Sequence, residues 1–160
     1  MRFLPGGFVT PEGFTTARFR LRHITIHDVV KDYDAVMANR DTLWLQFGKC
    51  WGWPPEDLTL EQDLIDLAWH QKEGQLERSF SFAILAPDES RLLGCFYIDP
   101  QGKEVHDAEL FLWVRRDAVS DDLEGTVLQE VKKWTREEWP FQNPAWPGRE
   151  IPWEEWDALP

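Results

Sequence analysis

The carboxylate of Glu109 has the setting in which a side chain does proton chemistry. It sits near the start of the run Ala108-Glu-Leu-Phe-Leu-Trp-Val114. Alternation puts Leu110, Leu112 and Val114 on one face and Glu109, Phe111 and Trp113 on the other. Phe111 and Trp113 are large and apolar, so the second face is expected to be covered as well. A carboxylate on a covered face has a raised pKa and needs a partner, which suits it to accept a proton from a reacting group. Arg115 and Arg116 follow, and then Asp121, Asp122, Glu124, Gly125 and Thr126 at the expected start of a helix. The unpaired N–H groups and positive dipole end of a helix favour an anion. That anion is either an external ligand or the chain's own carboxylates, with Asp121 as the N-cap.

The remaining reactive side chains form weaker patterns. His23 and His27 lie four residues apart but straddle a strand end and a helix start, and no further ligands are patterned nearby, so no metal site is expected. His70, beside Trp69 on a helix, is expected to face solvent. No Gly-x-Ser-x-Gly elbow occurs, and neither Cys50 nor Cys95 has a motif-defined His partner, which argues against hydrolase chemistry. Trp44, Trp51 and Trp53 crowd residues 41–58. With acidic neighbours they would cage a protonated amine; otherwise they form a hydrophobic lid over the core.

The bulk properties narrow the class. A chain of 160 residues fits one domain and can bury a core. Its formal charge of −12 repels phosphate backbones, so no nucleic-acid partner is expected, whereas a cationic small molecule or basic peptide would be attracted. Two cysteines far apart, without a CxxC pair, read as free thiols of a reducing compartment. Pro5-Gly-Gly7 interrupts the apolar start, which is unlike a signal peptide, and no apolar run is long enough to span a bilayer. A cytoplasmic protein with no membrane partner is expected.

The elements that must position these groups follow from periodicity. Residues 1–18 read as an extended arm anchored by Phe8 and Phe14. Phe19–Thr25 alternates as a strand, and Thr25 with Asp28 opens a helix carrying Val29, Val30, Tyr33, Val36 and Met37. Residues 41–58 read as a loop with at most a short helical turn. Thr59-Leu-Glu-Gln62 is a capping box for a second helix, with Leu60, Leu64, Leu67, Ala68 and Trp69 inward and Gly74 as its stop. Strands are expected at 79–85, 92–98 and 108–114, and a helix over 121–138 that Pro140 ends. The segment 142–160, dense in Pro and Trp, has room for one short strand at most. Its indoles are expected to pack on the domain or on a second subunit of a homodimer.

Strand, two helices, three antiparallel strands and a helix, in that order over 19–141, resemble the GNAT family of N-acetyltransferases. Three local features carry the resemblance. Phe19-Arg-Leu-Arg-His-Ile-Thr25 is similar to the family's opening strand and helix start, and Leu93-Gly94 to its third strand. Ala108-Glu109 is similar to the Ala-Glu pair that often begins the fourth strand of ribosomal-protein-type acetyltransferases. The resemblance implies an α/β (α+β) fold with a mixed, mostly antiparallel twisted sheet and helices on both faces. Its C-terminal part is truncated or replaced by the Trp/Pro-rich segment.

The resemblance also implies a function. An acyl-CoA co-substrate, without metal, would donate an acyl group to a small or peptidyl amine, with Glu109 as base. Backbone groups of Val114, Arg115 and Arg116, with Gly125 and Thr126, would hold the donor. The family's pyrophosphate loop, Arg/Gln-x-x-Gly-x-Gly/Ala, falls on Ser120-Asp-Asp-Leu-Glu-Gly125, where only the last Gly matches. The segment 142–160 has no Tyr to serve as the family's general acid. These departures keep a second reading open: a GNAT-like domain without transfer activity that binds a small ligand or a protein partner.

Overall fold

The structure is a computed structural model that describes residues 3–117 and 122–160. Five strands form one antiparallel sheet in sequence order: β1 (Gly13–Thr15), β2 (Arg20–His23), β3 (Phe80–Leu85), β4 (Leu92–Asp99) and β5 (Glu109–Val114). Between β2 and β3 lie a 3₁₀ turn (Ile26–Asp28) and helices α1 (Val29–Ala38), α2 (Arg40–Trp51) and α3 (Leu60–Gln75). After β5 come α4 (Leu123–Glu138) and α5 (Trp153–Ala158). The segment 142–160 touches β5 through one isolated parallel bridge, Ala145 to Glu109, so among the described residues every strand pair of the sheet is antiparallel and the expected mixed pairing is not found.

Helices cover both faces. On one, Val127, Val131 and Trp134 of α4 pack with Trp139 and Trp146 against Phe82, Phe96 and Leu112. On the other, Ala35, Val36, Leu43, Phe47 and Leu67 pack against Ala83, Cys95, Phe111 and Trp113. The alternation expected of β5 is present, with Leu110, Leu112 and Val114 in the first core and Phe111 and Trp113 in the second. Phe8 and Phe14 lean on the first core from the N-terminal arm.

Several expectations need correction. The aromatic stretch taken for a loop contains the twelve-residue α2. Leu43, Phe47 and Trp51 recur every fourth residue on it, and Gly48 lets the Trp44 ring lie on the helix, where a Cβ would meet that ring at 2.5 Å. The N-terminal arm carries β1, and α5 falls in the segment expected to hold at most a strand. Helix α3 runs past Gly74 and turns a different face inward. Leu60, Leu64, Ala68 and Trp69 are exposed, whereas Asp63 and Leu67 are buried. Among the described residues no helix is long and apolar enough to cross a membrane.

Candidate functional site

A cleft of about 430 Å³ opens between α1, α2, α3 and the sheet. Its wall on the sheet comes from strand alternation: Cys95, Tyr97 and Asp99 of β4 stand opposite Trp113, Phe111 and Glu109 of β5, with Tyr97 and Asp99 reaching the cleft. The helices add Asp32, Trp51, Asp63, Asp66, Leu67, Trp69 and His70, and the turn after α2 adds Trp53. The cleft is therefore lined by aromatic rings and four carboxylates.

The rings are held in place. Trp51 stacks on Phe47 at 4.4 Å and sets its edge against Phe111 at 4.8 Å. The Trp113 indole N–H donates to the Tyr97 hydroxyl at 3.0 Å. His70 does not face solvent as expected. Its ring stacks on Tyr97 at 5.6 Å, and its Nδ1 lies 2.7 Å from the Ser81 hydroxyl. Burial lowers its pKa to about 4, so the ring is neutral at physiological pH.

The carboxylates are perturbed in the opposite sense. Asp32 and Asp63 are 4% and 2% exposed and sit together under one end of the cleft. Burial, with the neighbouring Asp63 adding to it, pushes Asp32 well up. Burial raises Asp63 to about 6, against a side-chain hydrogen bond with Asp32 that pulls it down. The Cys95 thiol donates to Asp32 Oδ1 at 3.6 Å, while Asp63 Oδ2 is buried without a hydrogen-bond partner. At the other end burial and the facing Glu109 raise Asp99 to about 7. Among the described residues no group of three or more His, Cys, Asp or Glu side chains is placed to hold a metal ion.

Glu109 is half-buried, and burial raises its pKa. Its Oε1 accepts the Gly102 N–H at 2.5 Å, which ties it to the β4–β5 turn. It lines a smaller recess of about 350 Å³ with Cys50, Phe111, Trp153 and Trp156. Trp51 lines both that recess and the larger cleft.

The outer edge of β5 is the second region of interest. Leu110 N–H donates to Ala145 C=O at 2.9 Å, and Ala145 N–H to Ala108 C=O at 2.8 Å. Beyond this bridge the edge is met by side chains. The Leu112 carbonyl accepts Gln46 Nε2 at 2.9 Å and an Arg149 guanidinium N–H at 3.1 Å. The same Arg149 nitrogen reaches Glu124 at 3.0 Å. Val114 continues that edge next to Leu112, with its side chain in the first core.

Of the two arginines that follow β5, Arg115 is tied into the fold by its side chain and the exposed Arg116 by its backbone N–H. Arg115 is 2% exposed and makes a bidentate pair with Asp117, both contacts at 2.8 Å. It also donates to Asp34 at 3.0 Å and to the Leu92 carbonyl at 3.1 Å. The Arg116 N–H donates to Asn39 Oδ1 at 2.7 Å, and Asn39, buried between α1 and α2, donates in turn to Asp117 and to Ala35 C=O.

The start of α4 is capped from within. The expected cap at Asp121 lies outside the described residues, as does Ser120. Asp122 takes the role. Its Oδ1 accepts the Gly125 N–H at 3.2 Å, and its carbonyl accepts Thr126 N–H at 3.1 Å. A Cβ on Gly125 would meet the Asp122 carboxylate at 2.4 Å, so glycine lets that cap close. The Thr126 hydroxyl accepts Arg18 at 3.1 Å.

Sequence reasoning did not single out Asp32, Asp63, Asp66, Tyr97 or Asp99. A signal was present for some: Asp63, Leu67 and His70 share one helical stripe, an acid and a histidine where a core residue is the norm. Nothing local announced Gln46, Asn39 or Arg149, whose partners are 66, 77 and 37 residues away.

No protein-family model matches the sequence, and neither does any curated protein. Solved structures do. The ribosomal-protein-S5-alanine acetyltransferase from Vibrio fischeri aligns with a TM-score of 0.59 at 16% identity, over 77% of this chain and 66% of that one. The ribosomal L7/L12 alpha-N-protein acetyltransferase RimL aligns at 0.58 and 16%, over 81% and 71%. The microcin C7 self-immunity acetyltransferase MccE, solved with acetyl-CoA and AMP, aligns at 0.62 and 14%, over 80% and 67%. The chain thus spans about two thirds of the length of these neighbours. At such identities the likeness shows a shared fold, that of the GNAT acetyltransferases.

Proposed function

We propose that this chain is an acyl-CoA-dependent N-acyltransferase whose acceptor is an amine held in the acidic, aromatic-lined cleft. The observation that carries the reading is the divided β5. One face of the strand carries Glu109 and Phe111 into the recess that shares Trp51 with the cleft, while its outer edge parts from the chain after the Leu110–Ala145 bridge. Solved neighbours of this fold include one with acetyl-CoA bound and one with coenzyme A. A donor thioester laid along such an edge would meet an amine from the cleft.

The chemistry asks little of the protein. An ammonium loses a proton to Glu109, directly or through water, and the neutral nitrogen attacks the thioester carbonyl. The tetrahedral intermediate collapses to the amide, and the proton of the nitrogen goes through water to the leaving thiolate. No covalent enzyme intermediate is needed. The raised pKa of Glu109 brings it closer to the working pH, which improves a general base.

A second reading is favoured by the α4 start. Asp122 already fills the place of an anion there, Glu124 stands beside it, and Arg115 has four of its five N–H donors committed within the fold. A domain so built would bind its cationic ligand and transfer nothing.

Isothermal titration with acetyl-CoA, and separately with desulfo-CoA and ATP, tests the donor side. Micromolar binding specific to the CoA compounds supports transfer, and an amine screen with Glu109→Gln then tests the base. Silence up to millimolar donor would sink the transferase reading and leave the ligand-binding domain.

A further inference from the structure

We propose that the cleft between α1, α2, α3 and β4 recognises an aliphatic amine carrying two ammonium groups joined by an apolar chain. This names the acceptor class, and only its status as acceptor rests on the transferase reading. The proposal stands on how the lining is ordered along β4. The pair Asp32–Asp63, with Asp66 at the rim, lies at the level of Cys95, to which Asp32 is hydrogen-bonded. Tyr97, two residues on, marks the middle, where His70 stacks on it and Trp51 turns an edge to it. Asp99, two residues further, marks the other end, backed by Glu109. Acid, aromatic and acid thus follow one another along one face of β4, the first acids reaching it from α1 and α3.

The spacing limits the ligand. Four residues of extended strand span roughly 13 Å. Allowing about 3 Å for each ammonium–carboxylate contact leaves roughly 7 Å between the two nitrogens. That is close to the extended length of a five-carbon diamine. The aromatic middle suits the methylene chain and the adjoining cationic carbons, whereas a hydrated metal ion would gain nothing from it. The cavity volume is that of a small-molecule site.

A buried carboxylate oxygen without a partner is the observation that separates this cleft from an acidic surface. Asp63 is 2% exposed, and its Oδ2 has no hydrogen-bond partner. It faces Asp32 from α1, with Asp66 and His70 on its own helix. Asp99 faces Glu109 from β5, with Lys103 and His106 acting on Glu109 from the turn. A cation at either end takes the place of the protons that burial holds on these carboxyls. It also favours the ionised carboxylates, so binding near neutral pH displaces protons.

The test is isothermal titration of the full chain, without CoA, using cadaverine, pentylamine and pentanediol as probes. Runs in two buffers of different ionisation enthalpy read the protons released. The expected result is cadaverine at least about tenfold tighter than pentylamine, pentanediol silent, and protons released at pH 6.5. Asp99→Asn should bring the cadaverine preference close to unity, and Asp66→Asn, at an exposed position, should lower it. Equal affinity for the two amines, no cadaverine binding at millimolar concentration, or a preference unchanged in both variants would overturn the proposal. Cadaverine binding without acyl transfer would sink the transferase reading alone. Transfer to other amines without cadaverine binding would sink this proposal alone.

Discussion

Asp99 and Glu109 stand directly opposite each other across the β4–β5 pair, two carboxylates on one face of the sheet. Like charges so placed destabilise a strand pair, and Glu109 adds to burial in raising the pKa of Asp99. The proposed base and one end of the proposed amine cleft are therefore a single electrostatic unit. A cation bound beside Asp99 would also change the proton affinity of Glu109.

The pH dependence of stability should carry the mark of Asp99. Its folded pKa, about 7, lies above the ordinary 3.8, so the native state holds a proton that the unfolded state has lost. Stability then falls as pH rises from about 4 to about 7. Asp99→Asn should remove about 2 kcal/mol of that fall, after discounting for partial exposure. Urea denaturation of both proteins at pH 4 and pH 7 measures it. Equal slopes against pH would refute the assignment.

His70 acts in the other direction. Its folded pKa, about 4, lies below the ordinary 6.5, so stability is full above 6.5 and declines as pH falls toward 4. Proton NMR titration of the ring should show no protonation between pH 7 and pH 5.

Transfer activity, where a donor and an amine are found, should depend on Glu109. Glu109→Gln keeps an oxygen to accept the Gly102 N–H and removes the base. It should lower kcat by about a hundredfold or more with little change in stability. An unchanged kcat at all pH values would remove Glu109 from the mechanism.

Arg149 decides how open the β5 edge is to a donor. Arg149→Ala frees one of the two contacts on the Leu112 carbonyl and leaves Glu124 unpaired near the α4 start. Because the ion pair is partly exposed, the fold should lose no more than about 1 kcal/mol. Desulfo-CoA should bind severalfold tighter to the variant if Arg149 only blocks the edge. Weaker binding would make Arg149 a phosphate ligand instead.

Asp117 should matter more to folding than its exposure suggests. Its carboxylate forms the bidentate half of the Arg115 site, and the guanidinium holds its pKa well below the usual carboxylate range. Asp117→Ala leaves a buried guanidinium with Asp34 and a backbone carbonyl, and should cost about 3 kcal/mol. Asp34→Ala, at a more exposed carboxylate, should cost less than half as much. Chemical denaturation compares the two.

What the sequence determined by itself was local and periodic. Alternation in β5 assigned Leu110, Leu112 and Val114 to one core and Phe111 and Trp113 to the other, because a strand turns successive side chains to opposite faces. Thr59 and Gln62 marked the start of α3 through a capping box that needs four consecutive residues and nothing else. The order of elements was enough to reach the shared fold, since each was legible from its own segment.

The cleft was decided only by tertiary structure. Asp32, Asp63 and Asp99 look like ordinary surface acids in sequence; they become a site because α1, α3 and β4 pack together and withdraw water from them. His70 and Leu64 exchange their expected sides because α3 turns a polar stripe toward the sheet, where Ser81 and Tyr97 can meet it. The helix at 40–51 was hidden by its aromatic content, and its faces were settled by what Phe111 and Trp113 offered to pack against. Arg149 on Leu112 joins residues 37 apart through a chain reversal that no local pattern encodes. Spacing along a chain fixes which side chains share a face, but the dielectric and the partners around them come only from the fold.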